Sequence, residues 1–412
     1  MSGGGNPIGR GRLGALGRRT FLFGASATLL TGCSFIPREP FTAREQAIAE
    51  IPGIPNARFW IDGSEAEFRT FMRGSILFSP NPAESSDVLA LSGGSYDGAF
   101  GAGVLTGWTT TGLRPKFGFV TGVSAGALIA PLAFLGPEYD AEMRQAFTVE
   151  AAQVLGDLGG IFSLLGTVEL RHGMLENLVD KFVNERLMAS VAAEHARGRR
   201  LLILTTNLDA QRGVVWDMGA IAAGGPAYRD LFRNVLVASA SIPGLFGPTF
   251  IEVYANGHYF REMHVDGGAT TQFFVLPDVA FINGRRIADP KISPRIWVIM
   301  NNHIMPQFEV VEAGLLPTVS RSFSTLLKND GKNRLLAIQN YFGTERFNLT
   351  YIDNGFDAWL EANPSIQPGF NSPYMTALFG YGYDKALSGR LWSKSVPLPG
   401  SPAVKRQEIA GR

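Results

Sequence analysis

Residues 117–136 read FGFVTGVSAGALIAPLAFLG. The first four residues are apolar and predict a short buried strand, and residues 124–135 predict a buried helix that ends at a Gly-Pro pair. Between them lies a G-x-S-x-G pattern with Ser124 at its centre. A sharp turn from strand to helix lifts a serine hydroxyl above the edge of a sheet, and the flanking glycines, Gly122 and Gly126, relieve crowding there.

The pattern is weak evidence by itself. Glycine makes up 49 of the 412 residues, so about 0.35 such matches are expected by chance. An ordinary tight turn between a strand and a helix would contain the same residues. In favour of a catalytic role, the helix that begins behind Ser124 places a partial positive charge where an oxyanion would form.

Strands and helices alternate along the rest of the chain. Strands are predicted at residues 88–91, 117–120, 201–206, 213–218, 250–254, 259–265, 295–300 and 348–353. Helices are predicted at 63–73, 99–110, 124–135, 228–240, 317–341 and 372–391, with a helical region over 139–197 that is interrupted at 156–160 and 172–173. This alternation predicts one α/β domain with a mainly parallel central sheet, spanning residues 61–393, and a disordered tail over 394–412.

Composition limits the class of protein. Hydrophobic residues make up 45% of the chain, which excludes disorder as its main state. The formal net charge is +1 and charged residues make up only 18%. This balance argues against nucleic acid as the main partner.

The first 32 residues predict a signal peptide. They contain four arginines and no acidic residue, and residues 21–30 are apolar but too short to span a bilayer. The twin arginines before this run resemble a bacterial twin-arginine export signal. The following residues, LTGC at 30–33, resemble a lipobox, in which Cys33 is acylated.

Cys33 is the only cysteine in the sequence, so an intramolecular disulfide is impossible. Lipidation would account for this residue, whereas the alternative is a cytosolic start with an incidental buried cysteine. Residues 33–60 are rich in proline and predict a lipidated cysteine followed by a tether. We therefore expect a membrane-anchored lipoprotein of the bacterial envelope that faces the periplasm. Ser34 favours the outer membrane over the inner one.

A second glycine-rich motif, SGGSYDG, occupies residues 92–98 between a predicted strand and a helix. The backbone N–H groups of Gly93, Gly94 and Ser95 could bind an anion, either a phosphate or an oxyanion. No Walker Lys-Ser/Thr pair follows, which makes the phosphate site the weaker alternative. Gly98 begins a cluster of glycines that would let the helix pack closely on the sheet.

A third motif combines Asp266 with Gly267 and Gly268 at the end of a predicted strand. A carboxylate in this position could approach the serine turn. The alternative is an aspartate that simply opens a turn, which is a common role for this residue.

In this order, the three motifs resemble those of the patatin-like phospholipase family. A fourth segment, ASASIP at residues 238–243, is also similar to that family, and the resemblance covers residues 88–268. It implies a three-layer α/β/α fold and a Ser–Asp dyad without histidine. Ser124 would then be the nucleophile and Asp266 the general base, with the N–H groups of residues 93–95 forming the oxyanion hole.

One residue departs from the family pattern. Asp97 stands where the family usually has Arg or Lys, and an anion pointing into an oxyanion hole would oppose catalysis. We therefore expect Asp97 to point away from it. Asp266 raises a second question, because a carboxylate with an ordinary pKa of about 3.9 is a poor base at neutral pH. Burial could raise that pKa.

These observations predict a serine acyl hydrolase that cleaves lipid esters through an acyl-enzyme, without a cofactor or a metal ion. Its expected partners are the lipid substrate and the membrane. Two alternatives remain open: a non-catalytic lipoprotein that serves as a binding or structural module, and a Ser-His-Asp esterase. For the second, His303 is the only histidine after Asp266, and His264 is expected near the rim of the pocket.

Phenylalanines lie on both sides of Asp266 in the sequence. Phe246 and Phe250 precede it, and Phe273 and Phe274 follow it. Packing in the core is the simpler interpretation, and an acyl-binding channel beside the dyad is the functional one.

Overall fold

The computed structural model describes residues 1–4, 37–78, 84–156, 168–279 and 292–398. The chain divides into two units, Met1–Pro40 and Phe41–Arg412, and the fold described below is that of the second unit. The predicted signal peptide and Cys33 lie outside the described residues, as does most of the predicted tail. Among the helices that the structure describes, none has the length and apolar character needed to span a bilayer.

The described part of the second unit contains nine strands and thirteen α-helices. The strands are β1 (Arg58–Trp60), β2 (Val88–Leu91), β3 (Phe119–Gly122), β4 (Arg200–Asn207), β5 (Arg212–Asp217), β6 (Thr249–Ala255), β7 (His258–Asp266), β8 (Ile296–Met300) and β9 (Phe347–Tyr351). The helices are α1 (Ala43–Ile48), α2 (Glu65–Phe71), α3 (Gly98–Thr110), α4 (Ala125–Leu135), α5 (Asp140–Gln145), α6 (Ala151–Leu155), α7 (Val168–Asp180), α8 (Glu185–Ala196), α9 (Met218–Ala223), α10 (Arg229–Ala240), α11 (Leu315–Phe342), α12 (Asn354–Ala362) and α13 (Ser372–Leu387).

The central sheet has the strand order β1-β5-β4-β3-β2-β8-β9. The five strands from β4 to β9 in this order are mutually parallel, whereas β5 runs antiparallel to β4 and β1 antiparallel to β5. Alternate residues of β2 enter two separate cores: Leu89 and Leu91 pack with α3, α4 and α13, and Val88 and Ala90 pack with α2 and α11. The predicted three-layer α/β fold with a mainly parallel sheet is thus confirmed.

The hairpin of β6 and β7 places the end of β7 next to the end of β3. β3 pairs with Arg200–Ile203 of β4, and β7 pairs antiparallel with Thr205–Asn207 on the same edge. The two strands therefore occupy one line along β4 and approach each other end to end. Gly122 pairs with Ile203 and Asp266 with Thr205. Because those partners are two residues apart, Gly122 and Asp266 lie roughly 7 Å apart along this line.

Three boundaries differ from the sequence-based expectation. The compact unit begins at Phe41, so the tether expected over residues 33–60 is shorter, and residues 43–60 supply α1 and strand β1. The break expected at residues 172–173 is absent, because α7 continues through it. The last helix ends at Leu387, and Val396 beyond it is buried, with its N–H bonded to Gln339.

A buried charged network attaches the start of the unit to the sheet. Arg58 on β1 forms an ion pair with Glu262 on β7, whose side chain is fully buried. Arg58 also donates to the carbonyl of Ala49 at 2.9 Å. Burial raises the pKa of Glu262, but the charge of Arg58 and the contact with His264 outweigh this effect and hold it at about 2. Glu262 therefore remains an anion that requires its partner.

We predict that Arg58→Met lowers the free energy of unfolding by about 3–5 kcal/mol, because it leaves a buried carboxylate without its cation. Urea unfolding at neutral pH would measure the change. Arg44→Met is the matched control, since Arg44 is exposed on α1 and should tolerate the substitution. Equal stability of the two variants would mean that residues 41–60 are only a tether.

Candidate active site

Ser124 occupies a strained turn between β3 and α4. Its φ and ψ of 54° and −125° lie outside the regions that serine prefers, which costs roughly 1–3 kcal/mol. The turn can be this tight because a Cβ at Gly126 would lie only 2.4 Å from the carbonyl oxygen of Leu91. The carbonyl of Ser124 accepts the N–H of Ala127 at 2.8 Å, which begins the helix. This is the elbow that the G-x-S-x-G pattern predicts.

Asp266 ends β7 beside this elbow. Its backbone N–H donates to the carbonyl of Ser241 at 2.9 Å. One carboxylate oxygen, Oδ1, accepts the N–H of Gly268 at 2.7 Å. The other, Oδ2, is buried and has no hydrogen-bond partner. A buried oxygen without a partner is costly, and the Ser124 hydroxyl lies near enough to this carboxyl to lower its pKa.

The environment of Asp266 changes its acidity. Burial raises the pKa of this carboxyl to about 7, although the nearby Ser124 hydroxyl and the N–H of Gly268 both act to lower it. Burial dominates because little compensates the charged form: the side chain is 3% exposed and no cation contributes to the shift. The carboxyl is thus poised to exchange a proton near neutral pH, which resolves the mismatch expected from an ordinary aspartate.

The end of α10 connects the two members of this pair. The hydroxyl of Ser239 accepts the backbone N–H of Ser124 at 3.1 Å and donates to the carbonyl of Leu204 at 2.7 Å. Two residues later, the carbonyl of Ser241 holds the backbone of Asp266. Both serines are fully buried. The segment at residues 238–243 therefore fixes the separation of Ser124 and Asp266, a role that the sequence alone did not indicate.

The glycine-rich loop lies against Ser124 but supplies fewer donors than expected. A Cβ at Gly93 would lie 3.1 Å from Cβ of Ser124, so the loop and the elbow are in contact. However, the N–H of Gly93 donates to the carbonyl of Gln272 at 3.0 Å and is not available to an oxyanion. This corrects the expectation for Gly93. In the described part of the chain, no acceptor engages the N–H groups of Gly94 and Ser95.

Two asparagines after β8 hold this loop, and the sequence analysis missed both. The backbone N–H of Asn301 donates to Oγ of Ser92 and its side-chain Nδ2 to the carbonyl of Ser92, both at 2.8 Å. Nδ2 of Asn302 donates to the carbonyl of Gly93 at 2.8 Å. A Cβ at Gly94 would lie 2.2 Å from the carbonyl oxygen of Asn301, so only glycine fits there. Their position after a buried strand of the same parallel sheet was the available signal.

The other residues of the three motifs surround the pair. Gly98 begins α3, Gly122 ends β3, and Gly267 and Gly268 form the turn after Asp266.

Asp97 is directed toward α13. The hydroxyl of Tyr374 donates to its Oδ1 at 2.7 Å. Burial raises the pKa of Asp97 to about 6, against the opposing effect of this hydrogen bond. Asp97 does not line the cavity beside Ser124, whereas Ser95 does. The geometry therefore keeps this carboxyl out of the space in which an oxyanion would form.

A cavity opens beside Ser124. Among the described residues, its polar lining consists of Ser95 and Ser124, and all the others are apolar side chains of α4, α7, α10 and neighbouring segments. Phe246 belongs to this lining, whereas Phe273 and Phe274 pack in the core on the other face of the sheet. Of the expected phenylalanines, the structure thus brings one to the cavity. Its apolar wall suits a hydrocarbon chain.

The histidines of the chain lie away from the cavity beside Ser124. His264, expected near the rim of the pocket, is fully buried and contacts Thr205 and Glu262 at 2.9 and 3.2 Å. His303 contacts Asp357 at 2.9 Å. None of the five histidines lines the described cavity. Within the residues that the structure describes, no three His, Cys, Asp or Glu side chains are arranged to hold a metal ion.

A comparison with known protein families agrees with the motifs. The sequence profile of the patatin-like phospholipase family matches residues 89–277. Among solved structures, VipD from Legionella pneumophila is similar over 74% of this chain and 66% of its own, slightly less than two thirds of its length, with 11% identity and a TM-score of 0.37. A comparison with curated protein sequences gave no match. Residues 89–277 of this chain thus match the patatin-like phospholipase family.

Proposed function

We propose that this protein is a serine acyl hydrolase that cleaves lipid esters through a covalent acyl-enzyme, with Ser124 as nucleophile and Asp266 as general base. One observation supports this proposal above all. A buried carboxyl, one oxygen of which has no hydrogen-bond partner, lies near a strained serine at the wall of an apolar cavity. Neither a structural turn nor a passive binding module requires these features together.

In the first step, Asp266 accepts the proton of the Ser124 hydroxyl through Oδ2 while the serine oxygen attacks the ester carbonyl. A base with a pKa of about 7 is half ionised at neutral pH and gains driving force for proton transfer. The hydrogen bond from Gly268 to Oδ1 keeps the carboxylate from rotating. The strained backbone keeps the serine oxygen at the cavity wall.

The tetrahedral intermediate carries a negative charge on the former carbonyl oxygen. The N–H groups of Gly94 and Ser95 are its proposed donors, together with the N-terminal end of α4. Each such donor contributes about 2.7–4 kcal/mol to the transition state in related chemistry. Asn301 and Asn302 act here as positioning residues, because they hold the loop that carries these donors.

Collapse of the intermediate releases the alcohol, which takes the proton from Asp266, and leaves the acyl group on Ser124. The hydrocarbon part of that group would occupy the apolar cavity between α4, α7 and α10. Water then attacks the acyl-enzyme while Asp266 accepts its proton, and the bond between the Ser124 oxygen and the acyl carbon breaks. The Ser124 oxygen takes the proton back from Asp266, and the fatty acid leaves. No step requires a histidine.

Ser124→Ala should lower kcat/KM for a soluble short-chain ester by about 10⁴-fold or more, because no other group replaces the nucleophile. A fluorophosphonate probe should label the wild type on Ser124 and leave this variant unlabelled. Ser95→Ala is the control, because Ser95 offers the other hydroxyl in the cavity. Labelling that survives in the Ser124 variant, or turnover at the wild-type rate, would exclude the proposed dyad and favour a non-catalytic module.

Activity should depend on a group with a pKa near 7. Below that value Asp266 is protonated and cannot accept the serine proton, so kcat/KM should fall about tenfold per pH unit and level off above it. A pH profile with the soluble ester measures this dependence. Asp266→Asn should lose activity at every pH. A profile that stays flat down to about pH 5 would contradict the assignment of the base.

The same variant has a second expected effect, on stability. Below about pH 4 the carboxyl is neutral in both folded and unfolded chains, and between about pH 4 and 7 only the unfolded chain ionises it. Asp266 therefore destabilises the fold increasingly as the pH rises. Asp266→Asn should be as stable as the wild type near pH 4 and up to about 4 kcal/mol more stable at pH 8. Asp230→Asn, at a side chain that is 81% exposed, should change neither value.

We also propose that the protein is anchored to the bacterial cell envelope through acylated Cys33, facing the periplasm and favouring the outer membrane. The sequence of the first 33 residues supports this proposal. Several acyl chains on one residue would make the attachment stable. A tether also keeps the enzyme close to its lipid substrate without any added contact.

Mass spectrometry of the mature N-terminus tests the anchor. The expected product begins at Cys33 and carries acyl groups, because the lipobox predicts cleavage directly before that residue. Cys33→Ser should give an unacylated protein that is released from membranes. Detection of an unmodified peptide that spans residues 19–38 in the wild type would overturn the proposal.

A further inference from the structure

Exposed apolar side chains are concentrated in one part of the molecule. Within residues 308–326, six large hydrophobic residues are exposed, and these six define the apolar patch: Phe308, Val310, Val311, Leu315, Val319 and Leu326. Phe308 is 94% exposed, Leu315 80% and Leu326 70%. Single exposed apolar residues are ordinary on protein surfaces, but a cluster of this kind marks a site of interaction.

The helical part of the apolar patch is a single stripe. Leu315, Val319 and Leu326 on α11 follow the spacing i, i+4, i+11, which places them within about 40° of one another around the helix axis. The protein-facing side of the same helix carries Leu335 and Ile338, which are fully buried. The stripe therefore results from a helix that presents apolar residues on both of its sides.

The loop before α11 is fixed against the helix. Arg321 donates to the carbonyl of Gln307 at 2.5 Å and to Oε2 of Glu309 at 2.8 Å. Nζ of Lys328 donates to the carbonyl of Met305 at 3.1 Å. These contacts hold the segment that carries Phe308 and Val310 in place beside the stripe. The patch is thus formed before any partner binds.

The patch borders the candidate active site. On α11, a Cβ at Gly268 would lie 3.7 Å from Cδ2 of Leu327, the residue next to Leu326. On the loop, Glu309 lies close enough to Tyr96 to contribute, after burial and Asp97, to raising the pKa of that phenol to about 12. The ring of Tyr96 packs edge-on against Phe370, which lines the cavity beside Ser124.

Charges around the patch are balanced. Residues 301–332 contain three acidic and three basic side chains. A surface that binds anionic lipids normally combines apolar residues with an excess of lysine and arginine. The balanced charge instead matches a layer of zwitterionic head groups.

We propose that the apolar patch inserts into the surface of a zwitterionic lipid layer and thereby places the opening of the cavity on the membrane. The inference rests on the proposed function, because a lipid ester must leave the layer to reach Ser124. A patch that sinks into the layer beside the cavity gives the acyl chain an apolar path and spares it passage through water. The patch acts independently of the Cys33 anchor.

Site-specific fluorescence tests the insertion. The full chain with Cys33→Ala has no cysteine, so one new cysteine can carry an environment-sensitive dye: Leu315→Cys in the patch, or Leu113→Cys as the matched control. Leu113 is 75% exposed and lies between α3 and β3, near the amino ends of the parallel strands. Phosphatidylcholine vesicles should shift the emission of the dye at residue 315 to shorter wavelength, with quenching by lipid-borne spin labels. The dye at residue 113 should not respond.

A kinetic test uses Phe308→Ser combined with Leu326→Ser. Hydrolysis of phosphatidylcholine in vesicles should fall by about tenfold or more, because two apolar side chains no longer enter the layer. The kcat/KM for the soluble short-chain ester should stay at the wild-type value. If the wild type does not hydrolyse the soluble ester, the proposed function is wrong. The fluorescence experiment tests the insertion independently of this activity.

Three results would overturn the insertion. The dye at residue 315 could remain in a polar environment while the protein sediments with vesicles. Its emission could already be shifted in dilute protein without vesicles, which would mean that another segment of the chain covers the patch. A shift that requires only high protein concentration, with a doubled mass in sedimentation, would identify a second copy of the chain as the partner.

Discussion

The pairing of two strands with one edge of β4 is the constraint on which the site depends. β3 and β7 enter this edge from opposite directions, and each stops near its middle. The serine turn follows one strand end and Asp266 forms the other. Backbone hydrogen bonds on both sides fix these ends, so the two side chains meet without any direct bond between their strands. A slip of one residue in either register would turn Asp266 away from Ser124.

The same arrangement explains why the site can be both strained and stable. Ser124 adopts an unfavourable backbone conformation, and Asp266 is a carboxyl buried without a cation. At the end of α10, Ser239 holds the backbone of Ser124 and Ser241 holds the backbone of Asp266. The cost of burying Asp266 raises its pKa to the range in which a base is useful at neutral pH. The destabilisation and the raised pKa therefore have one cause, the burial of Asp266.

The candidate active site and the apolar patch both lie near the carboxyl ends of the parallel strands. The glycine-rich loop, the serine turn and the segment after β8 all follow the carboxyl ends of parallel strands, where such sheets usually bind ligands. Asn301 and Asn302 hold the loop, and the chain continues from them to the apolar patch. The proposed insertion of the patch would therefore place the cavity, the loop and Ser124 within a short distance of a lipid layer.

Local patterns in the sequence determined the order of strands and helices, the turn at Ser124 and the identity of the three glycine motifs, because these depend on neighbouring residues. The sequence could not predict which backbone N–H groups of the glycine-rich loop are already bonded within the protein. Only the tertiary structure decided that the N–H of Gly93 is engaged by Gln272, that Asn301 supports the loop, and that β1 completes the sheet. Each of these outcomes joins residues far apart in the chain, and burial, which sets the pKa of Asp266, arises from all of them together.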